Sequence, residues 1–173
     1  VLSSLLDAGF DVTHLVINRA HMQSRKKRED AVVKIAHMNG INIIDTWDEQ
    51  HIIDLAKESD VGVLASFGRI ISKEVIDAFA HGIVNIHPSL LPEFRGSTPI
   101  ESAILGNVEK TGVSIMALAR QMDAGKVYAQ DEYVMRGDET KQELYELLSE
   151  KGARLLVDVL PAVLNGDNSG QEQ

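Results

Sequence analysis

Hydrophobic positions along this chain fall into two alternating rhythms. Short apolar runs rich in β-branched residues occur at Val12 to Asn18, Ile41 to Asp45, Val61 to Phe67 and Ile83 to His87. Such runs, bounded by glycine and polar residues, predict buried strands. Between them the apolar residues take helical spacing. Val32, Val33, Ile35 and Ala36 mark a helix over Glu29 to Met38, continuing a polar segment from Arg19 to Asp30. Ile52, Ile53 and Leu55 mark another from Trp47 to Lys57, and Lys73 to His81 a third. Val1 to Ala8 reads as the later part of an amphipathic helix stopped at Gly9, and Asn39-Gly40 is a further stop. Strand alternating with helix predicts a doubly wound, mostly parallel α/β sheet of the Rossmann-like kind.

The rhythm changes after Pro92. Thr98 suits an N-cap, Pro99 the first helical position, and Glu101 would complete a capping box for a helix to about Leu105. Thr111 to Leu118 and Lys126 to Met135 predict two strands close enough in sequence to form an antiparallel edge. A long helix is predicted from about Glu139 to Leu164, apolar at Leu144, Leu147, Leu148, Ala153, Leu156, Val157 and Leu160, and kinked or ended by Pro161. Residues 166–173 are polar and predict a disordered tail or the start of a linker.

Composition narrows the class. The chain has 173 residues, 44% of them apolar and 25% charged, which suits one α/β domain with a real core. It has no cysteine, so neither a disulfide framework nor thiolate chemistry is available. A net charge of −9 disfavours indiscriminate binding to nucleic acid but leaves room for one basic patch. No apolar run is long enough for a membrane span, and no signal peptide is visible, so a cytoplasmic protein is expected.

The stretch Gly82 to Pro92, G-I-V-N-I-H-P-S-L-L-P, carries the candidate chemistry. Residues two apart in a strand share a face, so Asn85 and His87 stand side by side. Pro88 ends the strand. In open parallel sheets ligands bind beyond the carboxyl ends of strands, where this polar pair lies. Each candidate also has a plain structural reading. A histidine at a strand end is often a satisfied structural residue, and an Asp before Ala-Gly, as at Asp123, is often a turn residue.

Three features in order resemble the formyltransferases that use 10-formyltetrahydrofolate. They are the Asn85-x-His87 pair, the S-L-L-P loop of Ser89 to Pro92, and Asp123 in M-D-A-G. The continuation Phe94 to Met116, containing R-G-S-T-P-I-E-S-A-I, is most similar to the branch of that family acting on initiator methionyl-tRNA. The likeness covers about Ser66 to Asn165 well and the first third weakly.

The resemblance implies a set of roles. Asn85 would donate to the oxyanion formed when an amine attacks the formyl carbon, and His87 would carry the proton. Asp123 would orient and stabilise the histidine. The turn Phe67 to Ser72, with Gly68, Arg69, Ile70 and Ile71, would face the pterin of the folate, helped by Ser89, Leu90, Leu91, Pro92 and Met122. Arg95 and Gly96 would lie by the acceptor amine; a surface turn is the equal alternative. The basic run Arg25, Lys26, Lys27 and Arg28 is either a solvated helix entrance or an RNA contact; it is shorter than the family's Pro-, Gly- and Arg-rich loop. No metal is expected, because the histidines and carboxylates lack ligand spacing. The family opens with a strand before its first helix, so residues 1–165 would form a catalytic domain lacking that strand, with an unpaired sheet edge. Alternative acceptors are an amino-sugar nucleotide and glycinamide ribonucleotide. A fragment that binds folate without turnover is the remaining reading.

Overall fold

In the computed structural model, which describes residues 1–18, 26–167 and 169–173, the sheet is arranged around one strand, β4 (Ile83–His87). The elements before it are α1 (Leu2–Asp7), β1 (His14–Val16), α2 (Lys26–Met38), β2 (Asn42–Ile44), α3 (Glu49–Lys57), β3 (Gly62–Leu64) and α4 (Lys73–Ala78). After it come α5 (Pro99–Leu105), β5 (Lys110–Ala117), β6 (Val127–Val134) and α6 (Lys141–Leu164). The sheet runs β3-β4-β5-β6, with β3 parallel to β4 and both later pairings antiparallel. β1 and β2 pair in parallel as a separate sheet. The expected α/β architecture is present, and its antiparallel edge consists of the two long strands β5 and β6. Among the described residues no helix is long and apolar enough to cross a membrane.

Alternation along β4 sorts its residues between two layers. Val84 and Ile86 face α6 and pack with Leu5, Ile115, Leu156, Leu160 and Val163. Ile83 faces the other way and packs with Ile52 of α3 and Val75 of α4. Fully burying side chains of this size contributes about 1.5–3 kcal/mol each, so the two layers hold β4 rigidly. Gly152 lets α6 settle closely on the sheet. A Cβ there would lie 2.6 Å from the Ile86 side chain and 2.9 Å from that of Val113.

β1 and β3 each border a cavity of about 640 Å³, lined by residues of both strands and by Leu2, Leu5 and Leu160. Each of these strands has a strand partner on one side only among the described residues.

Several local expectations are corrected. The capping box expected at α5 does not form: Thr98 makes no side-chain cap bond, and Glu101 instead pairs with Lys141 at the start of α6. Tertiary attraction to a cation outcompetes a local cap. The box forms at α6, where Thr140 Oγ1 accepts from Glu143 N at 3.2 Å and Glu143 Oε2 accepts from Thr140 N at 2.8 Å. Pro161 neither ends nor precludes the last turn, and α6 runs on to Leu164. α4 stops at Ala78, short of the expected His81, because Phe79 takes extended backbone at ψ 139°. The tail expected to be disordered is paired: Gln171 and Val127 exchange backbone hydrogen bonds of 2.8 and 2.9 Å.

Glu139, expected as the first residue of the long helix, lies before it with its side chain only 2% exposed. It accepts from Arg136 N at 2.6 Å, Tyr133 Oη at 2.9 Å and Gly137 N at 3.0 Å, tying β6 to α6. These donors, the Arg136 N–H foremost, hold its carboxyl down at about 2, against an ordinary value of 4.5. A depressed carboxylate contributes stability that is present above the unfolded value and lost as pH falls through the folded one. The window therefore runs from about 4.5 down to about 2. Glu139→Gln should melt below the parent protein at pH 7, and the gap in Tm should narrow as pH is lowered through that window. A gap that stays constant with pH would show that the charge of Glu139 does not contribute.

Candidate active site

The carboxyl end of β4 delivers Asn85 and His87 on one face, as the spacing requires, and both are buried. Pairing of Asn85 with Met116 and His87 with Ser114 of β5 holds this end in register. The Asn85 amide makes no hydrogen bond to any described residue, although it is only 8% exposed. An amide kept free at the end of a rigid strand is a pre-positioned donor.

His87 has a defined proton arrangement. Its Nε2 lies 3.1 Å from the carbonyl oxygen of Phe94. A carbonyl only accepts, so Nε2 carries the hydrogen and Nδ1 is the nitrogen left to take up a proton. Nδ1 faces Asp123 Oδ2 at 3.8 Å. That is an ion-pair separation rather than a hydrogen bond, and it becomes attractive when the ring is protonated. Sequence reasoning missed Phe94. No property of its side chain reports that its backbone, at φ 53°, turns a carbonyl toward the ring.

Asp123 reaches His87 through an unusual loop. Its φ of 47° lies in the left-handed region, uncommon for a non-glycine residue although aspartate tolerates it better than most. Two constraints are visible. Oδ2 accepts from Gly96 N at 2.8 Å, joining the loop after β5 to the loop before α5. Gly125 passes so close to β5 that a Cβ there would lie 1.9 Å from the carbonyl oxygen of Ala117. Gly96 therefore has a defined partner: its backbone positions Asp123.

The S-L-L-P loop is built inward. Ser89 is fully buried and its hydroxyl donates to Glu93 O at 2.6 Å. Leu91 is buried with Met116 and Val127, while Leu90 covers Gly112. Pro92 is exposed. The loop is pinned by Ser114, whose hydroxyl accepts from Leu91 N at 3.0 Å and Gln130 Nε2 at 2.8 Å and donates to Ser89 O at 2.6 Å. All its hydrogen-bonding capacity is used. Gln130 also donates to Leu91 O at 2.9 Å. Neither residue was singled out from sequence, although a lone serine within the apolar run Val113 to Met116 was an available signal.

The turn after β3 lies partly in the open. Gly68 has φ 70°, the Arg69 guanidinium sits 5.1 Å from the centre of the Trp47 ring, and Trp47 packs on Phe67 at 5.5 Å. Ile71 packs inward, whereas Ile70 is 84% exposed. Met122, beside Asp123, is 59% exposed. Arg95 donates through Nε and Nη2 to Gln173 Oε1 at 3.1 and 2.9 Å. Of the basic run, Arg25 lies outside the described residues, and Lys26, Lys27 and Arg28 open α2. No cluster of three potential metal ligands occurs among the described residues.

An amide donor, a proton-accepting imidazole and a facing carboxylate suit direct transfer of a small acyl group to an amine. The neighbouring hydroxyls of Ser89 and Ser114 are committed to the loop, so the cluster presents no free side-chain nucleophile. Residues 4–160 match the formyl transferase family model, and the chain belongs to that family. It is 39% identical to a methionyl-tRNA formyltransferase of Bacillus cytotoxicus, over 96% of this chain and 55% of that protein. The corresponding Bacillus mycoides protein is 38% identical over the same shares. The chain thus spans about half the length of these relatives. Among solved structures it is similar to phosphoribosylglycinamide formyltransferase of Bacillus halodurans, with a TM-score of 0.80, 27% identity and coverage of 98% and 92% of the two chains.

Proposed function

We propose that the protein containing this domain transfers a formyl group from 10-formyltetrahydrofolate to the amine of initiator methionyl-tRNA. The observation that carries the reading is the Asn85–His87–Asp123 cluster at the end of β4 in a formyl transferase chain. The greater identity to methionyl-tRNA formyltransferases, 39% against 27% for the phosphoribosylglycinamide enzyme, supports the choice of acceptor.

The exposed apolar side chains of Ile70 and Met122, with the open Gly68 turn, suit a flat ring system, and the free Asn85 amide suits a carbonyl oxygen. When bound, the folate supplies an electrophilic formyl carbon and a nitrogen leaving group. Asn85 would donate to the formyl oxygen as negative charge develops there. His87 would take the proton of the attacking amine at Nδ1 and return it to the departing nitrogen, so atoms and charge balance over the cycle. Asp123 would stabilise the imidazolium between those two moments. Phe94 and Gly96, through their backbones, would hold histidine and carboxylate in place.

Formyl transfer by the full-length protein should be assayed with methionyl-tRNA, an amino-sugar nucleotide and glycinamide ribonucleotide. Methionyl-tRNA is expected to be formylated, with the two small amines at or near background. Turnover of a small amine alone would overturn the tRNA assignment. Folate binding by calorimetry without turnover of any acceptor would identify a binding module instead.

A further inference from the structure

We infer that Gln173 is a positioning residue for the candidate active site, an inference that rests on the function proposed above. The segment beyond α6 lies along β6, fixed by the paired hydrogen bonds between Gln171 and Val127. It runs so close that a Cβ on Gly170 would meet Lys126 Cβ and Val127 O at 3.0 Å. Two residues beyond Gln171, the Gln173 amide joins both loops of the site. Its Nε2 donates to the carbonyl oxygens of Asp123, at 3.1 Å, and Gly125, at 2.5 Å. Its Oε1 accepts both donors of Arg95 described above.

One side chain therefore ties the backbone of Asp123 to the loop containing Gly96, whose N–H binds the Asp123 carboxylate. Gln173 acts on Asp123 from the backbone side and Gly96 from the carboxylate side. Together they help hold a left-handed aspartate 3.8 Å from His87. The two halves of the amide have separable effects. The N–H half sets Asp123, and the C=O half sets the Arg95 guanidinium. A displacement of about 1 Å in a catalytic group can reduce rate about a hundredfold, so a loosened Asp123 should register in turnover.

The test uses the full-length protein and three variants. Gln173→Leu removes both halves. Gln173→Glu keeps an acceptor for Arg95 and removes the donor. Glu172→Gln, at a 77% exposed neighbour whose solvent-screened ion pair with Lys126 spans 3.4 Å, is the control. Gln173→Leu should lower kcat about tenfold or more and raise KM for the acceptor, with KM for the formyl donor within about twofold of the parent. Gln173→Glu should lower kcat similarly while leaving the acceptor KM near the parent value. A purely structural loss would not divide kcat from acceptor KM in this way.

The Gly96 amide resonance supplies a readout that needs no turnover. It should shift in both Gln173 variants and stay in place in the control. If no acceptor is formylated by the parent protein, the functional proposal fails, while the Gly96 shift still decides the positioning role. An unmoved Gly96 resonance in Gln173→Leu, or unchanged kcat in an active protein, would overturn the inference.

Discussion

His87→Ala in the full-length protein is expected to lower kcat by about a hundredfold or more, the usual contribution of a general acid–base group. KM for the formyl donor should change little, because Ile70, Met122 and the Gly68 turn are untouched. His87→Gln is the sharper variant. A glutamine amide can still donate to the Phe94 carbonyl, replacing the bond of 3.1 Å, but cannot accept and return a proton. Folding should be retained and turnover lost. Asp123→Asn alone should reduce kcat by a smaller factor, since it removes the charge facing Nδ1 at 3.8 Å without removing bulk. The double variant His87→Gln/Asp123→Asn should be no slower than His87→Gln, because a carboxylate has nothing to stabilise once the imidazolium is gone. Near-normal turnover in His87→Gln, or a double variant whose loss equals the sum of the two singles in free energy, would refute the proton-transfer unit.

Asn85→Ala should cost about 3 kcal/mol of transition-state stabilisation, a fall in kcat of about a hundredfold or more. Stability should hardly change, and the reason is specific to this site. Truncating a buried amide is destabilising when it leaves a partner unsatisfied. Asn85 has no hydrogen-bond partner among the described residues, so its removal strands nothing. A thermal melt within a few degrees of the parent, alongside the loss of turnover, would separate catalysis from folding. A large fall in Tm with unaltered kcat in the folded fraction would make Asn85 a structural amide and remove the oxyanion donor from the mechanism.

The chain states much of its architecture locally. β4 lies where glycine, β-branched residues and proline bound it, because burial and backbone chemistry at that position need no distant partner to be recognised. The same holds for the antiparallel strands β5 and β6 and for the apolar stripe of α6. Asn85 and His87 share a face by the period of the strand alone. Placing Asp123 opposite them rested on family resemblance; spacing in the sequence does not show it.

Tertiary structure decided the rest, wherever a long-range partner outweighed a local preference. Thr98 and Glu101 have the pattern of a capping box, but Lys141 of α6 supplies a cation that the local pattern cannot anticipate. Polar composition in residues 166–173 argued for disorder, yet β6 offers the backbone of Val127 to Gln171. The tautomer of His87 depends on a backbone carbonyl seven residues away, and the pose of Asp123 on the backbones of Gly96 and Gly125. Backbone groups are chemically alike at every residue, so sequence carries no mark of which ones a site will use. The sequence by itself determined which strand ends in the Asn85–His87 pair. Only the folded chain decided which nitrogen of His87 is free, what faces it, and which backbone N–H holds that carboxylate in place.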